Sequence, residues 1–505
     1  MHANYSTSAL SVMLLSFGPL LLPISAGEPS AKRAEREKKY LSHTKVDVQA
    51  AEGYLATTGL KSDSESLLKF LQGLPTEETD RRTLAGLVEQ LGSDDFQTRE
   101  AASRRLTAAG IRRMPVELER AANSKDPEVA KRAKDCREAI YTRNGQIGMA
   151  RDLLLQRKSV SALQALLKAD STDVRQVAAL GLGELGQDAE PAIPDLVKNL
   201  QSEDVAVSGA ANEALWRIGP GATKTIVGLL DDKRPIIRVR ALEAIAWQVR
   251  LAYVPDDGKE LLPRLIEMMK KEEPKVRRAA PQTVSAIGQE GNKEALTALV
   301  EALKFEDKAR LDKDELAVPS SAALALLQLD EGAKPAIPAL IEAMHDRDNQ
   351  LAGQAARALG TICRHDADET LVKAITAVLG DKNRGEARGL AAMALGNFGT
   401  SAKNAVPALL DALKETDEVL PANCMHAIVE IAPTDEKVIN ALISELEDTK
   451  PAADRRFAAG CLGRIGPPAK AALPALRRAI PGDLTRGDDA QLKIDIDQAI
   501  KRISK

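Results

Sequence analysis

Two short runs set histidine beside carboxylates, His345-Asp346 with Asp348 and His365-Asp366 with Asp368. Neutral imidazole and ionised carboxylate are both ligands for divalent metals, so a pair of half-sites is the first chemistry to test. Spacing opposes it. His345 falls in the turn before one helix and His365 in the turn after it, and about 13 helical residues rising about 1.5 Å each hold them roughly 20 Å apart. Asp312, Asp314 and Glu315 lack the glycine and the spacing of a calcium loop. Of the five histidines, His2 lies in the leading apolar region, His43 in a charged segment and His426 in a helix. No GxSxG, P-loop or GxGxxG stands where a nucleophile or a phosphate would need it. Cys136, Cys363, Cys424 and Cys461 show no CxxC spacing and are too sparse for a disulfide framework, so they read as small buried thiols. The expectation is a protein with no catalytic residue, no metal and no cofactor.

The residues that do recur are structural. An apolar residue followed by Gly serves as a landmark, and Arg precedes it by eleven positions in five copies: Arg99, Arg175, Arg277, Arg388 and Arg455. Weaker copies place the landmark at Tyr141, Gly219, Leu251, Asp330, Cys363 and Ala432, giving a period of about 36 residues, within the range of helical solenoids. Eight positions before the landmark stands Ala in nine copies, Ala391 among them, with Cys424 and Glu243 as the departures. Leu follows the Ala by four, which is helix periodicity. Ala is wanted where helices cross closely. The repeated Arg is expected to pair with an Asp of a neighbouring turn, since Ser208, Ala352, Pro319 and Pro421 replace it elsewhere and a catalytic group would not vary so freely. An earlier helix, opened by Pro in segments such as AIPDLVKNL, AIPALIEAM and AVPALLDAL, completes each unit. Two antiparallel helices cannot bury both apolar faces alone, so neighbours must stack. The fold class is all-α, a right-handed α-solenoid of eleven to twelve helix pairs. Trp216 stands three before its landmark, where Gly183, Gly360, Gly396 and Gly463 stand in other copies. It either fills a gap between units or contacts a partner, and is the one partner-binding candidate.

The pattern D-x-V-R, A-x-x-A-L-G-x-I-G, A-I-P-x-L, best seen in STDVRQVAALGLGELGQDAEPAIPDLVKNL (residues 171–200), resembles HEAT repeats of the bacterial type called phycobilisome-lyase-like. The resemblance covers about residues 84 to 502. LVEQLGSDDFQTREAASRRLTAAG and DPEVAKRAKDC also resemble the opening of exported bacterial repeat proteins. It implies an armadillo/HEAT-like superhelix and, as the enzyme-class alternative, a lyase or metal-dependent hydroxylase acting on a bound chromophore or protein side chain. The hydroxylase relatives hold iron through His-Glu pairs, and this sequence has none.

Composition agrees with many closely packed small helices: 44% hydrophobic but only 3% aromatic in 505 residues. Seventy basic against 73 acidic side chains leave a net charge of −3, without the basic excess of a nucleic-acid binder. Basic clusters such as Arg104-Arg105 and Lys270-Lys271 are interleaved with acids. Ala9 to Ile24 is apolar, broken by Gly18, Pro19 and Pro23, and shorter than the roughly 20 residues of a membrane span. It reads as a signal-peptide core with cleavage before Gly27. The expected organisation is a signal peptide (1–26), a charged cap (27–83) with helices near Val46 to Tyr54 and Glu65 to Leu71, first HEAT units (84–140), a joint where YTRNGQIGMA breaks the period (141–150), and the main solenoid (151–505). Charged insertions follow Lys304 and Arg250. The function this predicts is an exported scaffold or adaptor, periplasmic or extracellular, with no lasting membrane span, holding a protein and not nucleic acid on its concave face.

Overall fold

The computed structural model describes residues 48–57, 59–74, 81–108, 116–288, 292–305, 317–415, 420–447, 449–481 and 487–505. The expected signal peptide and most of the insertion after Lys304 lie outside them. Among the described residues every regular element is a helix. They form two compact bodies, one from Ser30 to Gly258 and one from Lys259 to Lys505.

The first body opens with α1 (Val48–Thr57) and α2 (Ser64–Gln72), close to the two helices expected in the cap. Five helix pairs follow: α3 (Arg81–Gln90) with α4 (Phe96–Ala108), α5 (Val116–Ala121) with α6 (Pro127–Gln156), α7 (Val160–Leu166) with α8 (Thr172–Leu185), α9 (Ile193–Leu200) with α10 (Val205–Ile218), and α11 (Pro220–Gly228) with α12 (Pro235–Arg250). The second body holds seven: α13 (Leu262–Lys271) with α14 (Pro274–Gly288), α15 (Lys293–Ala302) with α16 (Val318–Leu327), α17 (Ile337–Met344) with α18 (Asn349–Ile362), α19 (Glu369–Gly380) with α20 (Glu386–Asn397), α21 (Val406–Ala412) with α22 (Leu420–Ile431), α23 (Glu436–Ser444) with α24 (Ala452–Ile465), and α25 (Leu473–Arg478) with α26 (Gly487–Ile503).

Local chemistry explains the boundaries. An Asp in the turn caps several second helices: Asp204 accepts from the amides of Ala206 and Val207, and Asp348 from that of Gln350. The landmark Gly closes the same helix in a left-handed conformation, at φ 57° for Gly186 and 71° for Gly466, which a side chain resists. A short 3₁₀ turn then carries two fully buried alanines, such as Ala189 and Ala192, into the Pro-opened first helix. Within each body the second helices pack on their own first helix and on one another, α8 on α10 and α18 on α20 on α22 on α24.

The segment 141–150, expected as a joint, is continuous helix: it lies inside α6, which runs unbroken for 30 residues. The first half of α6 closes the core that begins at Leu84 and ends at Ile140. Its second half supplies Ala150, Leu153 and Leu154 to the next. The period breaks there because α1 docks on it: the Tyr54 hydroxyl donates to the carbonyl of Thr142 at 3.2 Å, and a Cβ on Gly145 would come within 2.5 Å of that hydroxyl oxygen. The insertion after Arg250 contains the division between the two bodies, after Gly258.

Candidate functional site

The Ala slot is the crossing point it was expected to be. Ala102, Ala133, Ala178, Ala211, Ala280, Ala322, Ala355, Ala391 and Ala458 are all wholly buried, as is Cys424. Five positions further on, Gly takes the approach to its limit. A Cβ on Gly183 would lie 2.9 Å from the Ala214 Cα of α10, on Gly360 2.6 Å from that of Ala394, and on Gly463 3.0 Å from that of Ala499. Second helices therefore meet backbone to backbone.

The repeated Arg works differently from the expectation. In the clearest copies it donates to turn carbonyls that the end of a first helix leaves without partners. Arg99 reaches the carbonyls of Ser93 (2.6 Å) and Asp94 (3.0 Å), and Arg175 those of Ala169 (2.7 Å) and Asp170 (2.8 Å). Arg455 instead reaches forward to Ala479 at 2.9 Å. Arg388 does both, through Nε to Leu379 (2.8 Å) and through a two-bond pair with Glu415 (2.8 and 3.0 Å), which holds the Glu415 carboxyl below its ordinary range. Arg277 occupies the same place at the start of α14, half-buried. In α12 the slot belongs to Arg238, which donates to the Asp232 backbone carbonyl at 2.7 Å, with Ala241 buried three residues on. The register ending at Leu251 is therefore two residues too long, and Glu243 is no departure from the Ala slot.

That correction reassigns the tryptophans. Trp216 replaces the Gly at which α8 meets α10, so an indole stands between α10 and α12. It is 6% exposed and stacks on Trp247 with ring centres 4.8 Å apart, planes 14° from parallel, while Arg217 and Arg250 lie over the rings at 5.2 and 5.8 Å. Trp216 is packing between units and offers a partner almost no surface. Trp247, half-buried, is the ring nearer the solvent-facing column; the Arg238 and Ala241 spacing was the sequence signal that would have placed it.

His345 caps the end of α17 and His365 follows α18, so the helix of 14 residues stands between them. His365 is tied by its amide to the Asn397 carbonyl at 3.3 Å. Among the described residues no group of three or more His, Cys, Asp and Glu side chains is arranged to hold a metal. The four cysteines are free and buried.

What the second body does present is a wall. On its second helices the partly exposed residues recur at helical spacing between buried ones: Gln354, Arg357 and Thr361 on α18, Leu390, Met393 and Asn397 on α20, His426 and Glu430 on α22, Phe457 and Arg464 on α24. Met393 and Phe457 are each 38% exposed.

This arrangement defines an all-α solenoid of helix pairs stacked through their second helices. The family model for HEAT repeats matches residues 159–246, 222–314 and 337–428. Among solved structures, yeast importin-β (Kap95p) is similar at a TM-score of 0.53 and 15% identity, covering 94% of this chain and 68% of that chain. The Kap95:Nup1 complex gives a TM-score of 0.49 at 15% identity over 94% and 68% of the two chains. An engineered protein gives 0.33 at 19% identity over 84% of this chain and 99% of that chain. These are likenesses of fold. No curated protein matches the chain in sequence.

Proposed function

We propose that this chain is a non-enzymatic scaffold or adaptor that holds a protein partner against its second-helix face. The observation that carries this reading is the continuity of the wall: because Gly and Ala let consecutive second helices touch, their partly exposed residues run from one unit into the next without a gap. Stacked repeats of this kind give an extended surface, which suits a macromolecule better than a small substrate. Balanced charge favours protein over nucleic acid as the occupant. The Pro-broken apolar stretch before Gly27 supports export, to a periplasmic or extracellular setting, and the quoted D-x-V-R and A-I-P motifs support the phycobilisome-lyase-like branch. No cofactor is required by this reading.

Affinity capture with the full mature chain from the exported fraction, followed by mass spectrometry, is expected to enrich one protein at a fixed ratio to the bait. Stoichiometric iron, or a visible absorption band in the purified protein, would overturn the scaffold reading in favour of a hydroxylase or lyase. N-terminal sequencing is expected to begin near Gly27; Met1 retained on membrane-bound protein would overturn export.

A further inference from the structure

Arg357 stands midway along α18, half-buried; its carbonyl accepts from the Thr361 hydroxyl at 3.3 Å, and its guanidinium makes no hydrogen bond or ion pair among the described residues. Three other enclosed arginines are compensated: Arg388 has Glu415, Arg132 has Glu100 and Glu128, and Arg455 has the Ala479 carbonyl, while Arg143, also drawn down by burial, has the charge of Asp173 opposing the shift. Burial draws the Arg357 pKa down, and no neighbouring charge opposes the shift. A guanidinium partly removed from water with nothing given in return costs stability, so the fold alone has no use for it there.

The neighbouring second helices carry apolar residues at the matching register. Gly353 comes so close to α20 that a Cβ would lie 2.8 Å from Leu390, and Gly360 abuts Ala394, so the stretch of α20 beside Arg357 is that of Leu390. Met393 is one turn further along, and Leu324 of α16 holds the same register on the other side. One turn back on α18, the Gln354 side-chain oxygen is buried and accepts no hydrogen bond. A lone cation, an unmet acceptor and an apolar collar therefore share one spot on the wall.

We propose that this spot receives an acidic segment of a partner protein, with a carboxylate on Arg357 and an adjacent apolar side chain over Leu390 and Met393. The inference rests on the scaffold reading and narrows its partner. The planar guanidinium fork matches a carboxylate in two-bond geometry, and the collar removes water from that pair. A nucleic-acid strand would need a row of cations and stacking rings, and the spot has one cation and no ring.

The test uses the full chain and fluorescein-labelled peptides of alternating Asp and Leu, with Asn-Leu and Lys-Leu counterparts and a short DNA strand, followed by anisotropy. The Asp-Leu peptide is expected to bind best, with the Asn-Leu peptide about tenfold weaker, the effect of losing one charge-assisted contact. Arg357→Gln should weaken the Asp-Leu peptide about tenfold with an unchanged helical spectrum, and Met393→Ser should weaken it several-fold. Arg357→Met should raise the Tm while abolishing the preference, whereas a merely structural arginine would lower it. Absence of Asp-Leu binding, preference for Lys-Leu or DNA, indifference to Arg357→Gln, or a lowered Tm in Arg357→Met each overturns the inference. A captured protein partner held equally by wild type and Arg357→Gln would overturn it and leave the scaffold reading standing.

Discussion

Burial pushes the Cys424 thiol of α22 up to about 12 and that of Cys461 on α24 up to about 11. A thiol that ionises later in the folded chain than in the unfolded one adds stability that is fully present below the ordinary thiol value near 9 and is lost as pH rises toward the folded value. Urea unfolding between pH 9 and 11 is therefore expected to show a steeper loss in the wild type than in Cys424→Ala, by about 1.4 kcal/mol per pH unit. Equal slopes would mean that Cys424 ionises as freely folded as unfolded. Thiol titration should find four groups under denaturant and slow reaction without it. At Arg388 the sign reverses. Glu415 titrates below its ordinary value because the guanidinium faces it, so its contribution is present above the ordinary carboxylate range and drains away as pH falls through the lowered value. Arg388→Ala leaves the Leu379 carbonyl without its donor and Glu415 with only Lys382 at 3.7 Å, and is expected to cost about 1–2 kcal/mol at neutral pH, read by denaturant unfolding, with a flatter acid limb.

A second helix carries two kinds of glycine that the sequence alone does not separate. Gly360 lies against the Ala394 backbone of α20, and a methyl group there would stand 2.6 Å from its Cα, whereas Gly460 on α24 has no such neighbour within 4 Å. Gly360→Ala is expected to destabilise by about 1–3 kcal/mol through overpacking. Gly460→Ala is expected to stabilise by about 0.5–1 kcal/mol, because Ala is the better helix former and nothing resists it. Thermal unfolding of the two variants should move in opposite directions; a shared direction would place the helix contacts elsewhere. The Ala and Leu periodicity made the helices, their pairing and the buried crossing points legible from residue types alone. Two things were not. The role of Arg99 and Arg175 depends on where turn carbonyls end up, and carbonyls carry no residue signature. Arg357 lies in a column whose residue types change from unit to unit, so no spacing singles it out; only the absence of an acid around it in three dimensions does.

Across the whole chain the repeat hides its own interruptions. A period break such as YTRNGQIGMA reads as a joint because local pattern carries no record of a segment docking from ninety residues away, yet the Gly145 that looks like a breaker is the seat of Tyr54. The same locality gives the architecture its sharpest test. Ala391 is wholly buried on α20, which packs on α18, α19 and α22 and on nothing distant. Ala391→Leu adds three carbons at that crossing and should cost about 1–3 kcal/mol, whereas an exposed site would change by no more than about half a kcal/mol. In a stack where each unit touches only its neighbours, the strain has no route to remote units. Amide exchange is therefore expected to quicken around residues 368–432 while residues 84–219 keep their protection. Unchanged stability would remove Ala391 from the crossing point, and protection lost evenly along the chain would replace the stack of units with a single cooperative core.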